Sequence, residues 1–437
     1  MSDFRYVNVQ NFDSFGSEEV IVKRAKLLFD RLENDDTLLD FFSQSDCKGF
    51  IELESIFDGK PSRCNESYYF YDANFLRFSS WAGDFYICQV RRVLDAIVIP
   101  SQNISIGRGL SSVSNICEIF SKKIEGFLQK RKPVNDKRFM GVILNQTLPY
   151  HYFYDCLPGY YWLMEGARDR LDKYPVASFK CGGYLAVSEI FSIGQGDLCL
   201  GSLGKGEIFT SSAGYYLSPL RNEKYRRHRI IERLDDFLSG LKAVRDSAEQ
   251  CRTEGLVVWI GILSGKRKWV EQAAAIVALV KVLESTGKIG CYVFDGMTST
   301  IFSDERRVDE QHQKVIEEIV SGAKIPVEKV VNLHGARSQE KMRWAAATDY
   351  FLSDAATSSL YVSRVFGKPG VIHALSKSRI KGHIHKRAKP VPDELIVDLN
   401  PGEDWQYSNY SIPVESFVNF VMQDMREHGF FKVEEVK

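Results

Sequence analysis

The hydrophobic pattern is clearest in the second half of the chain. Residues 255–263 (GLVVWIGIL) form a short apolar run rich in β-branched side chains, followed by the turn SGKRK. Residues 269–286 then have helical length, with Val270, Ala273, Val277, Val280, Val282 and Leu283 supplying an apolar side. The alternation continues: strand at 289–295, charged helix at 304–322, strand at 329–335 and helix at 337–349. Strand and turn follow at 350–358, helix at 359–367 and strand at 370–375. Strands alternating with helices predict βαβ units and a mostly parallel, doubly wound sheet, a Rossmann-like domain over about 255–399.

The first half is less regular. Residues 95–100 (DAIVIP) and 140–145 (MGVILN) read as buried strands, and 20–32 as an amphipathic helix. The glycine-rich stretch 191–210 reads as turns or a hairpin, and 222–250 as a long polar helix bridging two domains. Residues 414–425 place Val414, Phe417, Val418, Val421, Met422 and Met425 at helical spacing, an apolar face in need of a partner. The expected division is 1–235, 236–412 and a terminal helix within 413–437.

Composition narrows the class. The chain has 437 residues, too long for one ordinary core. Lys+Arg and Asp+Glu both total 57, which disfavours a surface built for nucleic acid. There is no secretory leader pattern and no eighteen-residue apolar run. Nine dispersed cysteines without CxxC pairs fit reduced thiols. The expectation is a cytoplasmic protein.

Candidate chemistry sits after strands. Lys266, Arg267 and Lys268 follow the first strand of the second half, where a helix N-terminus and cations together suit a diphosphate. The spacing is not that of a P-loop. Thr357, Ser358 and Ser359 open a later helix and offer hydroxyls to phosphate oxygens; the plain alternative is ordinary capping. Residues 373–389 gather His373, Lys377, Arg379, Lys381, His383, His385, Lys386, Arg387 and Lys389. Without nearby carboxylates or cysteines this segment predicts no zinc site, and reads as a basic loop for solvent, an anionic donor or an anionic membrane surface. No GxGxxG follows a strand and no Asp-x-Asp occurs, so neither a dinucleotide cofactor nor a metal is expected.

In the first half, residues 145–163 (NQTLPYHYFYDCLPGYYWL) set His151 and Asp155 four residues apart, on one helical face, in an aromatic stretch. Either the two satisfy each other in a core, or they line a cleft where a hydroxyl is deprotonated.

Two Rossmann-like halves, a bridging helix and a terminal amphipathic helix together resemble a GT-B glycosyltransferase. His151 followed by Asp155-Cys156-Leu157-Pro158 after a strand resembles the family of plant xylosyltransferases and EGF-domain O-linked N-acetylglucosaminyltransferases. The resemblance implies an α/β fold of two domains facing a cleft, the last helix crossing back to the first domain. It implies sugar transfer from a nucleotide-sugar to a glycan or lipid-linked acceptor, inverting and metal-independent, with bacterial surface polysaccharide as one setting. It assigns the base to Asp155 or His151, stacking faces to Tyr150, Tyr152, Tyr154, Tyr160 and Tyr161, and donor contacts to Lys266, Arg267, His334, Arg337, Thr357, Ser358 and Ser359. Peripheral contact with the inner face of a membrane is a further expectation. The rivals are a non-catalytic protein of the same architecture and a sugar-nucleotide epimerase.

Overall fold

The computed structural model describes residues 4–431 other than 10–18, 35, 110, 132–136, 194, 205, 221–228, 241–254, 266, 356, 376–384, 386 and 404–406. Its fold is α/β, with parallel sheets in both of two units, Met1–Leu234 and Asp235–Lys437.

The first unit holds two sheets. Strands β1 (Arg5–Asn8), β2 (Ile51–Glu54), β3 (Pro61–Phe70), β4 (Ala73–Ser80), β5 (Gly83–Gln89), β6 (Ala96–Ile99) and β7 (Ile104–Gly107) belong to the larger one. Helices α1 (Glu19–Arg31) and α2 (Thr37–Lys48) precede β2. Helix α3 (Ser111–Lys130) follows β7 and buries Val113, Cys117, Phe120 and Ile124 against the sheet. All pairings are antiparallel except that of β1 with β7. The smaller sheet is fully parallel: β8 (Arg138–Ile143), β9 (Val176–Ser178), β10 (Asp197–Cys199) and β12 (Gly214–Leu217), in the order β10-β9-β8-β12. Between β10 and β12, β11 (Ile208–Phe209) pairs with the end of β3. The glycine-rich stretch is therefore no hairpin; its two short strands join different sheets.

This half thus departs from the Rossmann-like expectation. Only its four-stranded sheet has parallel strands joined by helices, the main one being α4 (Leu157–Leu171). The meander β3-β4-β5 escaped the pattern because the inward positions of 61–66 are Ser62, Cys64 and Glu66 rather than large apolar residues, while 67–70 and 73–76 are buried without a break. Its first turn is also unmarked: Tyr71, with φ 53°, takes the left-handed position where glycine or asparagine is usual. One buried carboxylate ties the unit together. Glu66 meets Arg77 at 2.8 Å, Arg131 at 3.1 Å and Lys137.

Helix α5 (Arg229–Gly240) contains the division between the units; the rest of the polar helix expected over 222–250 lies outside the described residues. The second unit follows the predicted alternation. Strands β13 (Leu256–Gly261), β14 (Ile289–Asp295), β15 (Val330–Asn332), β16 (Tyr350–Asp354), β17 (Gly370–His373) and β18 (Ala388–Pro390) form one parallel sheet. Its order, β15-β14-β13-β16-β17-β18, is the 3-2-1-4-5-6 order of dinucleotide-binding domains. Every position of β14 is buried, as in a sheet covered on both faces. Helices α6 (Gln272–Ser285), α7 (Glu310–Ala323) and α8 (Ser338–Ala347) connect the first strands.

The last helix, α9 (Val414–Glu427), was expected to dock on the first half. Instead its apolar face lies in the second unit's own core: Phe417, Val421, Met422 and Met425 join Trp269, Ala275, Leu279 and Val371. Trp269 and Phe417 rings pack 4.6 Å apart, and the Tyr350 hydroxyl donates to Asp424 at 2.6 Å. Helix α6 and strand β17 meet α9 within the same unit, which satisfies its apolar face locally. Among the described residues no helix is long and apolar enough to cross a membrane.

Candidate functional site

In the first unit the candidate residues stand beyond the carboxyl end of β8. After Ile143 the loop Asn145–Gln146–Thr147 leads to Pro149, whose fixed φ suits the start of a helix. That helix widens at once: Tyr152–Cys156 is a π turn, with the Leu157 N–H returning to the Tyr152 carbonyl. The sequence cause is Pro158, which has no N–H to return to Tyr154. Such π turns recur at functional sites.

On this turn His151 Nδ1 lies 2.7 Å from Asp155 Oδ2. Asp155 is 3% exposed and His151 29%, so the carboxylate stands behind the imidazole and the imidazole faces outward. The aromatic setting is mostly core. Tyr152, Tyr154, Tyr160 and Tyr161 are buried, and only Tyr150 of the five is half-exposed, its ring 5.6 Å from that of His151. Four tyrosines are thus withdrawn as stacking faces: the Tyr152 ring packs on Tyr184, Tyr154 on Tyr150, and Tyr160 and Tyr161 on Phe191. One residue has no signal in this stretch at all. Asp72, at the β3–β4 turn, accepts from Thr147 Oγ1 at 2.8 Å and lies in the field of His151. Burial raises its carboxyl above the ordinary value.

In the second unit, strand order reverses between β13 and β16, the place where doubly wound sheets bind ligands. The two strand ends approach closely: a Cβ on Gly261 would stand 2.4 Å from Ser353 Oγ, so only glycine fits. Gln272 clamps the loop after β13, accepting from Leu263 N at 2.9 Å and donating to its carbonyl at 3.1 Å. Arg267 follows with φ 57° and lines a small cavity with Leu263, Asp354, Ala355, Ala374 and Tyr410. Lys266 lies outside the described residues.

Arg267 and Lys268 do not sit on the helix itself. Residues 268–270 run extended beside Tyr410, with Tyr410 N donating to Lys268 O and Val270 N to Tyr410 O, both at 3.0 Å. Helix α6 therefore opens only at Gln272. The hydroxyl run is also partly committed. Thr357–Ser359 form a short 3-10 turn before a second π segment, Leu360–Val365. Ser358 Oγ lies 2.7 Å from Ser353 Oγ and donates to Asp354, while Ser359 is fully buried. Thr357 remains half-exposed.

His334 and Arg337 separate. His334 is buried, accepts from Met297 N at 3.1 Å and meets the Asp309 backbone; burial, then His312, holds its pKa down to about 4. A neutral ring binding two loops is a structural element rather than a donor contact. Arg337 donates to Ser303 O at 3.0 Å and lines a cavity of about 270 Å³ with Ser299, Arg306 and Glu340. Beside it Lys341, fully buried, pairs with Asp295 at 2.5 Å and donates to the carbonyls of Gly296 and Met297. Asp295, at the end of the second strand, occupies the place where an acidic side chain reads a ribose in dinucleotide sites; here it is spent on Lys341. Ser264, His312 and Asp309 also cluster, but serine and aspartate both address His312 Nδ1, at 2.7 and 3.0 Å, which is not the two-sided geometry of a catalytic triad.

Of the basic segment, residues 376–384 and 386 lie outside the described residues. Its flanks are engaged: His373 meets the Tyr410 hydroxyl at 2.7 Å and Lys389 meets Glu427 at 2.8 Å. Among the described residues no group of three or more His, Cys, Asp or Glu is placed to hold a metal ion.

No family model matches the sequence, and no curated protein matches it. Solved structures give distant similarity. ADP-heptose lps heptosyltransferase II of E. coli is 13% identical over 42% of this chain, with a TM-score of 0.28; the match spans half that protein's length. The glycosyl transferase family 9 protein of Veillonella parvula DSM 2008 is 11% identical over 67% of this chain and 98% of its own, with a TM-score of 0.34. TarM is 8% identical over 96% of this chain and 85% of its own, with a TM-score of 0.26. Similarity of this degree fixes neither fold nor activity for this chain.

Proposed function

We propose that the chain is a glycosyltransferase that moves a sugar from a nucleotide-sugar donor to a hydroxyl of a glycan or lipid-linked acceptor. The observation that carries this reading is the second unit's sheet order, 3-2-1-4-5-6, with Arg267 at the switch point between β13 and β16. Sugar transfer needs a base for the attacking hydroxyl and positive charge for the leaving diphosphate. Each unit carries one of the two. In the reaction His151 Nε2 takes the hydroxyl proton while the oxygen's electron pair bonds to the anomeric carbon. The bond from that carbon to the diphosphate oxygen breaks, and its electrons leave with the diphosphate. Asp155 holds the imidazole and stabilises its charged form. One displacement inverts the anomeric centre. Arg267, joined by Lys266, takes the counter-charge role that other transferases give to a metal.

One observation favours a second reading, a non-catalytic binding protein: His334, Ser358 and Ser359, three of the seven residues the sequence pointed to for the donor, are committed to internal contacts or buried. A thermal-shift panel of UDP-, GDP- and CMP-sugars tests the proposal. It predicts a rise in melting temperature with one nucleotide class; no rise with any of them contradicts it.

A further inference from the structure

Trp81 stands 77% exposed in the two-residue turn between β4 and β5. Tight turns ordinarily carry glycine, asparagine or aspartate, and an indole serves no backbone purpose there. One side of the ring is held, with Lys60 Nζ 4.8 Å from its centroid. That lysine belongs to the turn between β2 and β3, and the two turns touch, Ser55 Oγ lying 3.4 Å from Ser80 Oγ. The β2–β3 turn also meets helix α1, where Arg24 donates to the Phe57 carbonyl. Val20, Arg24 and Leu27 share one side of α1 by helical spacing, and Val20 and Leu27 are 54% and 68% exposed. Single exposed apolar residues are common on protein surfaces; these are linked through one turn.

Cations rim these apolar groups. Lys23 and Lys26 are exposed on α1, and with Arg24 and Lys60 they stand against Asp30 and Asp58. Arg31 is offset by Glu54 at 4.0 Å. The face is therefore apolar, aromatic and net basic. We propose that it seats the protein on a bilayer surface containing anionic lipids. Trp81 and Leu27 enter the headgroup region, and the lysines meet lipid phosphates. An indole suits that boundary, because its body is apolar and its N–H polar. Charge decides against a second copy as the occupant. Two copies meeting face to face would set the lysines opposite their own images, like charge against like. The inference is independent of the glycosyltransferase reading, since neither His151 nor Arg267 takes part.

Flotation of the full-length protein with lipid vesicles tests this. Phosphatidylcholine vesicles containing about one quarter phosphatidylglycerol should carry the protein, and phosphatidylcholine alone should carry little. Raising salt from about 0.1 M to about 0.5 M should weaken binding, because exposed charges are screened. Trp81→Ser should lower the partition coefficient by about tenfold, and Lys26→Gln by about fivefold. Leu27→Ser repeats the apolar test on the helix. All three side chains are exposed, so melting temperatures should stay at the wild-type value. No flotation with the anionic vesicles overturns the proposal. Equal flotation of the wild type and a Trp81→Ser/Leu27→Ser double variant also overturns it, by placing the contact elsewhere. So does sedimentation that shows a dimer in the wild type and none in the double variant, which would make the face a self-contact. Each of these results leaves nucleotide binding, and the reading built on it, untouched.

Discussion

His151 Nδ1 and Asp155 Oδ2 lie 2.7 Å apart on one face of a π turn, the imidazole open and the carboxylate closed. Access divides their roles: the group that can meet a substrate hydroxyl is the histidine, and the aspartate orients it. His151→Ala should therefore lower turnover by roughly 10²–10⁴-fold, the usual contribution of a general base. Asp155→Asn should also slow the reaction, and should cost roughly 1–3 kcal/mol of stability because a buried hydrogen bond is weakened. Turnover per folded molecule, read beside urea unfolding on both variants, checks this. Near wild-type turnover in His151→Ala would return the pair to a structural role.

The terminal helix makes a separate prediction. Phe417 is fully buried against Trp269 in the second unit. Phe417→Ala should cost about 3–5 kcal/mol in urea unfolding, the range for deleting a core aromatic ring. A loss below about 1 kcal/mol would mean the helix is loosely held.

Two buried histidines predict acid sensitivity. Burial holds His373 down to about 3 and His334 down to about 4, both below the ordinary value near 6.5. The unfolded chain therefore takes up two protons, as pH falls from about 6.5 toward 4, that the folded chain refuses. Stability should drop across that window by about 1.4 kcal/mol per pH unit for each histidine. Urea unfolding at pH 7, 6 and 5 measures the slope, and His373→Phe should remove about half of it. A flat profile would show that both rings protonate freely in the folded protein.

How much of this was legible in the sequence differs between the halves. Strand β14 runs from Ile289 to Asp295 as read, because a fully buried parallel strand is a bounded apolar run. The second unit's helices were legible through length and periodicity. Their starts were not, since Trp269 and Val270 pair with residue 410, far along the chain. The antiparallel sheet was missed because Tyr71 takes the left-handed turn position where glycine is usual, and because the inward positions at the start of β3 are Ser62, Cys64 and Glu66 while 67–70 and 73–76 are buried without a break. Within the candidate site, spacing revealed the His151–Asp155 pair, which is local. Asp72 comes from another sheet and the commitments of His334 and Ser358 depend on neighbouring loops; local patterns carry no trace of either.

Arg267 makes the donor half testable. A hydrogen bond to a charged group contributes roughly 1.5–3 kcal/mol, so Arg267→Ala should weaken nucleotide binding by roughly 10- to 100-fold. Calorimetric titration on both proteins reads it, and equal affinity would remove Arg267 from the donor site. Melting temperature should barely move, because Arg267 lies half-exposed in a turn.

The central claim, that a nucleotide-sugar binds at the switch point of the second unit, is tested most directly by amide hydrogen exchange. The full-length protein is compared with and without saturating UDP-, GDP- and CMP-sugars. The account predicts slowed exchange in peptides covering 262–270 and 354–366 with one of the three, since ligand binding suppresses local opening where it contacts the chain. Protection confined to 299–306 and 335–340, around the larger cavity, or no protection with any of them, would contradict it.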